Sequence, residues 1–126
     1  MPKLVILGSS YAIPDGTHEN THMALVGKDR TLLIDCPGNP LVRLGRAGVG
    51  VDALTDLIVT HFHPDHSSGF PLLLMDLWLL GRKSPLQVYG LEYTLDRLEQ
   101  MMDLYGWSRW PNFFPVAFHR RPEKEL

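Results

Sequence analysis

Short apolar runs alternate with turn-forming residues in the first half of the chain. Residues 3–8, 21–27 and 31–35 each predict a β-strand, because they are apolar and are bounded by Gly, Pro, Asn or Asp. Residues 28–30 (Lys-Asp-Arg) separate the second and third runs, and this length suits a hairpin turn. Residues 56–60, with the sequence Asp-Leu-Ile-Val-Thr, predict a further short and buried strand.

A short helix is predicted between the third and fourth strands. Asn39 suits its N-cap and Pro40 its first helical position, and the helix is expected to end near residue 47. The candidates for its buried side are Leu41, Val42 and Leu44.

Helical spacing of apolar residues is the main signal beyond residue 66. Ser67 or Ser68 is predicted to cap a helix that ends at Gly81, and residues 92–105 predict an amphipathic helix. Two more strands are predicted at residues 86–89 and 113–119. Strands therefore come first and then alternate with helices, which is typical of a mixed α/β layer architecture.

The composition is that of an ordinary globular protein and excludes several classes. The chain has 126 residues, 44% hydrophobic and 21% charged, so it is at most one domain and not a disordered polypeptide. Its apolar runs fall short of the roughly 20 residues that span a bilayer, which predicts no membrane association. The net charge of −2 argues against binding chiefly by neutralising phosphates. The single cysteine, Cys36, cannot form an internal disulfide, which is typical of a cytoplasmic protein.

Three histidines and one aspartate fall within the six residues His-Phe-His-Pro-Asp-His that follow the fourth predicted strand. Residues two apart in an extended loop project to the same side, so His61 and His63 can converge on one ion. Pro64 bends the path, so Asp65 and His66 can face a neighbouring point. Imidazole and carboxylate ligands suit zinc, and also iron or manganese. The motif therefore predicts a metal site, although Asp65 could also cap the helix that follows.

The string His-x-His-x-Asp-His after an apolar strand resembles the signature of the metallo-β-lactamase-fold hydrolases. Further segments resemble the ribonuclease Z-like branch: Leu-Val-Ile-Leu-Gly-Ser at 4–9 with Ala-Ile-Pro at 12–14, Leu-Leu-Ile-Asp-Cys at 32–36, Ser-Gly-Phe-Pro-Leu-Leu-Leu at 68–74 and Leu-Gln-Val-Tyr-Gly at 86–90. The resemblance covers almost the whole chain. It implies an α/β fold, the N-terminal half of the metallo-β-lactamase αββα sandwich, with a mixed sheet flanked by helices. Pro64 stands where ribonuclease Z commonly has glycine, and there the sequence is closer to other hydrolases of the branch.

The resemblance also implies a role for each residue of the motif. His61 and His63 would bind one metal ion, and Asp65 and His66 the second; Asp65 would also position or deprotonate the attacking water. Asp35 corresponds to the aspartate of the family's first motif, which supports the site, for example by holding a ligand histidine in one tautomer. From the residues alone, Asp35 is equally well explained as a turn former at a strand end. Two zinc ions are expected, with manganese or iron as alternatives.

The implied activity is hydrolysis of a phosphodiester or related ester, with a metal-bound hydroxide as nucleophile and RNA or a small phosphodiester as substrate. A thioester, a lactone or a sulfate ester is the alternative substrate. A second hypothesis makes the chain a non-catalytic fragment or binding module that pairs with another chain to complete the fold. We expect self-association, as a homo-oligomer, through an exposed apolar face.

Three further ligands of the family, a His, a bridging Asp and a final His, would lie downstream of the segments matched here. Residues 1–126 are therefore expected to form a single partial domain, truncated at the C-terminus, whose incomplete site holds metal weakly. His119 comes too early to replace the missing histidine. His18 and His22 are interpreted as surface or loop residues.

Two other features have competing interpretations. The aromatic residues Trp107, Trp110, Phe113 and Phe114 could line a pocket, but the core is the commoner place for such a cluster. Cys36 could be a nucleophile, but no base can be placed beside it, and a buried apolar role is preferred.

Overall fold

A computed structural model describes residues 1–16 and 18–123 of the chain. In this part of the chain the elements follow the order β1 (Lys3–Gly8), β2 (His22–Val26), β3 (Thr31–Ile34), α1 (Pro40–Arg46), β4 (Leu54–Ile58), α2 (Pro64–Ser67), α3 (Phe70–Leu79), β5 (Leu86–Leu91), α4 (Glu92–Leu104) and β6 (Val116–Arg121). A 3₁₀ turn precedes β4 and another follows α4. None of these helices is long and apolar enough to cross a membrane.

The strands form one mixed sheet whose spatial order follows the sequence, from β1 to β6. β1, β2 and β3 pair in antiparallel fashion, whereas β4, β5 and β6 add to the sheet in parallel. Each parallel pair needs a crossover connection, which the helices supply. This confirms the expected mixed sheet flanked by helices. Because β3 and β4 are parallel, Ile34 pairs with Ile58, and the loops that leave both strands start side by side.

One face of the sheet carries the hydrophobic core. Ala24, Leu33, Leu57 and Val88 pair across β2 to β5 and are fully buried. The helices cover this face with a set of buried apolar side chains: Leu44, Phe70, Leu73, Leu74, Leu77, Leu95, Leu98 and Met102. Burial of one such side chain contributes roughly 1.5–3 kcal/mol. The core therefore fixes the strand ends from which the loops near residues 35 and 60 emerge.

The opposite face of the sheet stays apolar and partly exposed. Leu4 and Ile6 of β1 are each 57% exposed, and Leu25 of β2 is 40% exposed. These side chains alternate along their strands with residues that point into the core, as the two-residue period of a strand requires. The apolar surface of this face is therefore continuous across β1 and β2, where Leu4 pairs with Leu25.

A buried carboxylate interrupts the apolar side chains on this second face at β4. Asp56 is 2% exposed and accepts hydrogen bonds from Nε and Nη2 of Arg30, at 3.0 and 2.5 Å, and from the Tyr89 hydroxyl at 3.2 Å. Burial acts to raise the pKa of Asp56. The hydrogen bonds from Arg30, Thr55 and Tyr89, together with the Arg30 charge, outweigh burial and leave that pKa below its usual value.

The beginnings of the helices differ in part from the prediction. α3 begins at Phe70 with Gly69 as its N-cap, so neither Ser67 nor Ser68 caps it. Both serine hydroxyls bond to other loop groups instead, and the separate helix α2 precedes α3. Asn39 does lie at the N-cap of α1, but its side chain makes no capping hydrogen bond. The cap positions depend on tertiary contacts that propensity does not contain.

The bounds of two strands and the buried side of one helix also differ from the prediction. β4 and β6 lie about two residues from the predicted 56–60 and 113–119. Thr60 leaves the sheet because its amide donates to the Asp35 carboxylate. In α1, Leu44 is fully buried as expected, but Val42 is 46% exposed.

The structure also shows where the aromatic cluster and Cys36 lie. Phe114 is 2% exposed in the core, whereas Trp107, Trp110 and Phe113 are half-buried. All four side chains line an open cavity of about 490 Å³. The Cys36 side chain is fully buried, and burial raises the pKa of its thiol. A buried thiol of this kind is unreactive, so the apolar role fits Cys36.

Candidate metal centre

The histidine-rich segment lies where the chain leaves β4 and turns into α2. His63 is the N-cap residue of α2 in an extended conformation, and Pro64 takes the first helical position. Proline is well suited there because its missing N–H would have no partner inside the helix. His61 and His63 therefore precede the helix, whereas Asp65 and His66 lie within its single turn.

The turn brings the His61 ring close to the rings of both His63 and His66. The His61 ring centroid lies 4.6 Å from that of His63 and 4.0 Å from that of His66. Nε2 of His66 lies 3.2 Å from Oδ2 of Asp65. The four predicted ligands thus occupy one small region, and all are partly buried except the exposed His63.

Asp35 reaches this region from the end of β3, the strand beside β4. Its carboxylate is buried. It accepts a hydrogen bond from the Thr60 amide at 2.7 Å, and it lies 2.8 Å from the Thr60 hydroxyl. Oδ2 of Asp35 also lies 2.7 Å from Nδ1 of His66. The backbone of Asp35 is left-handed, with φ of 63°, which Asp tolerates better than most residues. Both interpretations of Asp35, as a turn residue and as a partner of a motif histidine, therefore describe its geometry.

The loop after β3 is tied to the α2–α3 junction by close backbone contacts. The Cys36 amide donates to the His66 carbonyl at 2.9 Å, and the Gly69 amide donates to the Cys36 carbonyl at 2.8 Å. A Cβ atom at Gly69 would lie 2.6 Å from the carbonyl oxygens of Cys36 and Gly38, so only glycine fits. These contacts hold Asp35 at hydrogen-bond distance from His66.

The donor set fits a divalent ion at the Asp65–His66 pair. When Nδ1 of His66 donates its proton to Asp35, Nε2 presents a lone pair to the Asp65 carboxylate. Two acceptors 3.2 Å apart repel unless a proton or a cation lies between them. Two ligands of one tetrahedral zinc ion, each about 2.0–2.1 Å from the metal, lie about 3.3 Å apart, close to this separation.

The four side chains do not form a complete cage around an ion. Within residues 1–16 and 18–123, no group of three or more His, Cys, Asp or Glu side chains is arranged to hold an ion as it stands. An ion held by two of these donors would complete its coordination with other ligands, such as water.

The electrostatics of the cluster favour neutral imidazole at His61. Burial lowers the pKa of His61, and the positive charge that His66 and His63 can carry lowers it further. Neutral imidazole is the form of histidine that binds metal.

The other three histidines lie outside the cluster. His18 is exposed and bonds to Asp15, while Nε2 of His119 lies 2.6 Å from the Gln87 side chain. The interpretation of His22 as a surface or loop residue is wrong, because it lies on β2 and is 1% exposed. Its Nδ1 bonds to the Asn20 carbonyl, and burial lowers its pKa.

Sequence reasoning missed the residues that surround the cluster. Thr60, which bonds to Asp35, is the last residue of the predicted strand 56–60, and the only signal in the sequence is its place directly before the first motif histidine. An open cavity of about 440 Å³ adjoins His61 and His63, and Phe62, Tyr93 and Glu123 contribute to its walls. Tyr93 of α4 and Glu123, which follows β6, carry no sequence signal, because only the folded chain brings them to the motif.

Comparison with known proteins agrees with this architecture. A family model described as anti-Pycsar protein Apyc1 matches residues 2–102. Ribonuclease Z of Methanosarcina mazei is 33% identical over 99 residues, which are 79% of this chain and 32% of that protein. Ribonuclease Z of Bradyrhizobium diazoefficiens is 31% identical over 124 residues, 98% of this chain and 40% of that protein.

Solved structures of tRNase Z and of metallo-β-lactamase fold proteins are also similar to this chain. Human tRNase Z, short form, matches with a TM-score of 0.79 and 26% identity over 95% of this chain and 44% of that chain. A metallo-β-lactamase fold protein of Bacillus subtilis matches with a TM-score of 0.68 and 20% identity over 94% of this chain and 47% of that chain, which shows the shared fold.

The chain spans about a third of the length of the curated relatives it matches first, 32% in the case of M. mazei. The match to the family model, in contrast, extends over residues 2–102 of 126. The chain therefore belongs to the anti-Pycsar protein Apyc1 family and is a metallo-β-lactamase-fold protein of the ribonuclease Z-like branch.

Proposed function

We propose that this chain carries the metal-binding motif of a hydrolase that cleaves a phosphodiester or a related ester. The observation that carries the proposal is the clustering of His61, His63, Asp65 and His66 in one turn, with the Asp35 carboxylate against His66. A concentration of titratable groups in one turn has no packing purpose, whereas it suits a metal site. The ribonuclease Z names of the relatives support the phosphodiester class.

The four motif side chains would bind two metal ions. His61 and His63 would hold one ion, and Asp65 and His66 the other. Bound zinc, or manganese or iron in its place, supplies a Lewis acid that polarises the scissile group and acidifies water. The free carboxylate oxygen of Asp65 would orient the attacking water and accept its proton. Asp35 would keep the His66 ring in place by accepting the Nδ1 proton.

The substrate is proposed to enter by the cavity beside His61 and His63. A space of about 440 Å³ has room for one substituent of a small phosphodiester or for one nucleotide of an RNA chain. The net charge of −2 offers little electrostatic attraction for a long polyanion. The charge therefore supports a small phosphodiester more than RNA. We place this reaction in the cytoplasm, which the buried and unpaired Cys36 thiol supports.

Zinc binding by the chain tests the metal site. In a calorimetric titration we expect His61→Ala and Asp65→Ala each to weaken zinc binding at least about tenfold. His18→Ala is the matched control, because His18 is an exposed histidine outside the cluster, and it should leave binding unchanged. Retention of unchanged zinc affinity by both cluster variants would contradict the proposal.

Substrate cleavage tests the reaction. Zinc-loaded chain is incubated with bis(p-nitrophenyl) phosphate and, separately, with a short single-stranded RNA. Release of nitrophenol with intact RNA would support a small phosphodiester, and cleavage of RNA would support a ribonuclease. Tight zinc binding without cleavage of either compound would favour the second candidate function.

That second candidate is a non-catalytic module that pairs with another chain, and the exposed apolar face of the sheet favours it. The exposed side chains of Leu4, Ile6 and Leu25 make this face an apolar patch of the kind that binds another protein surface. We propose that a second copy of the chain packs against it, sheet on sheet, as the second layer of an αββα sandwich would.

The oligomeric state tests this pairing. Light scattering is expected to show a dimer that Ile6→Lys converts to a monomer. Leu104→Lys, which adds the same charge at an exposed leucine of α4, should remain dimeric. A monomer at all concentrations, with the face still exposed, would rule out the second copy and leave a different partner chain.

A further inference from the structure

The Thr60 hydroxyl bridges the Asp35 carboxylate and the first histidine of the motif. Oγ1 of Thr60 lies 2.8 Å from Oδ2 of Asp35 and 3.1 Å from Nδ1 of His61. The amide of the same residue donates to Oδ1 of Asp35 at 2.7 Å. The backbone bond keeps the hydroxyl in place between the two side chains.

These distances fix the positions of the protons. A carboxylate can only accept hydrogen bonds, so the single hydroxyl proton of Thr60 must point to Asp35. The hydroxyl then has only lone pairs to offer to His61. The contact with Nδ1 of His61 is therefore a hydrogen bond only if Nδ1 carries the ring proton. In that tautomer Nε2 of His61 has a free lone pair.

The same carboxylate determines the tautomer of a second ring. Oδ2 of Asp35 accepts the proton of Nδ1 of His66 directly at 2.7 Å, which leaves Nε2 of His66 unprotonated. Asp35 thus acts on His66 directly and on His61 through Thr60. In the proposed function these two rings belong to different ions.

We propose that Thr60 is a positioning residue that transmits the hydrogen bond of Asp35 to His61, so that one carboxylate prepares a ligand of each ion. This inference rests on the proposed function for its purpose, but not for its test. Partners that orient a ligand histidine in this way typically change metal affinity 10–100-fold. Thr60 touches neither ion in this arrangement and acts only through His61.

The test reads the ring protons of the metal-free chain by long-range ¹H–¹⁵N NMR at about pH 8, where an ordinary histidine is neutral. In the unsubstituted chain we expect His61 and His66 both to be protonated on Nδ1. Thr60→Val removes the hydroxyl but keeps the shape and the backbone amide, and it should shift His61 toward the Nε2–H tautomer. His66 serves as the internal control, because its bond to Asp35 does not pass through Thr60. Thr60→Ser keeps the hydroxyl and should retain the original pattern.

Zinc titration supplies the second readout. Thr60→Val should weaken zinc binding about tenfold, and Thr60→Ser should restore it. Protonation of His61 on Nε2 in the unsubstituted chain would overturn the inference whether or not any variant folds. So would an unchanged His61 tautomer in a folded Thr60→Val chain. If the tautomers are as expected but the unsubstituted chain binds no zinc, the proposed function fails and the assignment of the ring protons stands.

Discussion

Asp35 and His66 are 31 residues apart in the sequence, yet Oδ2 of one lies 2.7 Å from Nδ1 of the other. The contact joins the loop after β3 to the helix after β4. It depends on the parallel pairing of these two strands, which starts both loops at the same edge of the sheet.

The first prediction concerns the charge of Asp35. Asp35→Asn keeps a side chain that tolerates the left-handed backbone but replaces a carboxylate with a neutral amide. We expect zinc affinity to fall about 10–100-fold, because His66 loses its charged acceptor and the Thr60 hydroxyl, which contacts His61, loses its own. Competition with a chromophoric zinc indicator measures the change. An affinity within about twofold of the unsubstituted chain would contradict a supporting role for Asp35.

The second prediction concerns the division of ligands between ions. His61→Ala/His63→Ala and Asp65→Ala/His66→Ala are each expected to remove one bound ion and leave the other. The reason is that each double variant deletes one proposed pair. Mass spectrometry of the native protein counts the ions. One bound ion in the unsubstituted chain, absent from both double variants, would show instead that the four side chains share a single ion.

The third prediction concerns the Arg30–Asp56 pair and pH. Because the folded-state pKa of Asp56 is lowered, its contribution to stability is present above about pH 4 and is lost as the pH falls through the folded-state value. Arg30→Met removes the main partner of a buried carboxylate, so it should destabilise the chain most at neutral pH. The difference in unfolding free energy between the unsubstituted chain and Arg30→Met should become smaller as the pH falls from about 6 to about 3.

Chemical denaturation at several pH values tests this. Lys28→Met, which removes a positive charge two residues away from Arg30, is the control. Its unfolding free energy should differ from that of the unsubstituted chain by an amount that hardly changes with pH. A destabilisation by Arg30→Met that is constant with pH would mean that Asp56 does not depend on this guanidinium.

The fourth prediction concerns the backbone contact at Gly69. Gly69→Ala would place a Cβ atom 2.6 Å from two carbonyl oxygens and should destabilise the chain by about 2 kcal/mol or more. Gly45→Ala is the control in α1, where a Cβ atom would meet open space beyond its own helix, and should stabilise by about 0.5–1 kcal/mol. Thermal denaturation compares the two variants. Gly69→Ala should also weaken zinc binding, since this junction holds His66 beside Asp35.

The secondary structure was largely predictable because local patterns contain it. Residues 3–8 and the helix from Pro40 have the spacing and the boundary residues of their elements, and both occur in the fold. The errors fall where a tertiary contact overrides the local preference. Ser68 suits a helix cap, but its hydroxyl accepts a hydrogen bond from the Gly38 amide. Thr60 suits a strand, but its amide bonds to Asp35.

The motif from His61 to His66 is determined by the sequence alone, because its members are close along the chain and their residue types name the chemistry. The sequence also marks Asp35, through its resemblance to a family motif, but leaves open what it contacts. Only the tertiary structure brings Asp35 and Thr60 together, since β3 and β4 are joined through a crossover helix and pair in parallel. It also decides which face of the sheet is covered, because alternation gives both faces apolar residues and helix packing selects one of them. The candidate ligands of the motif are thus a local property of the chain, and their orientation is a property of the fold.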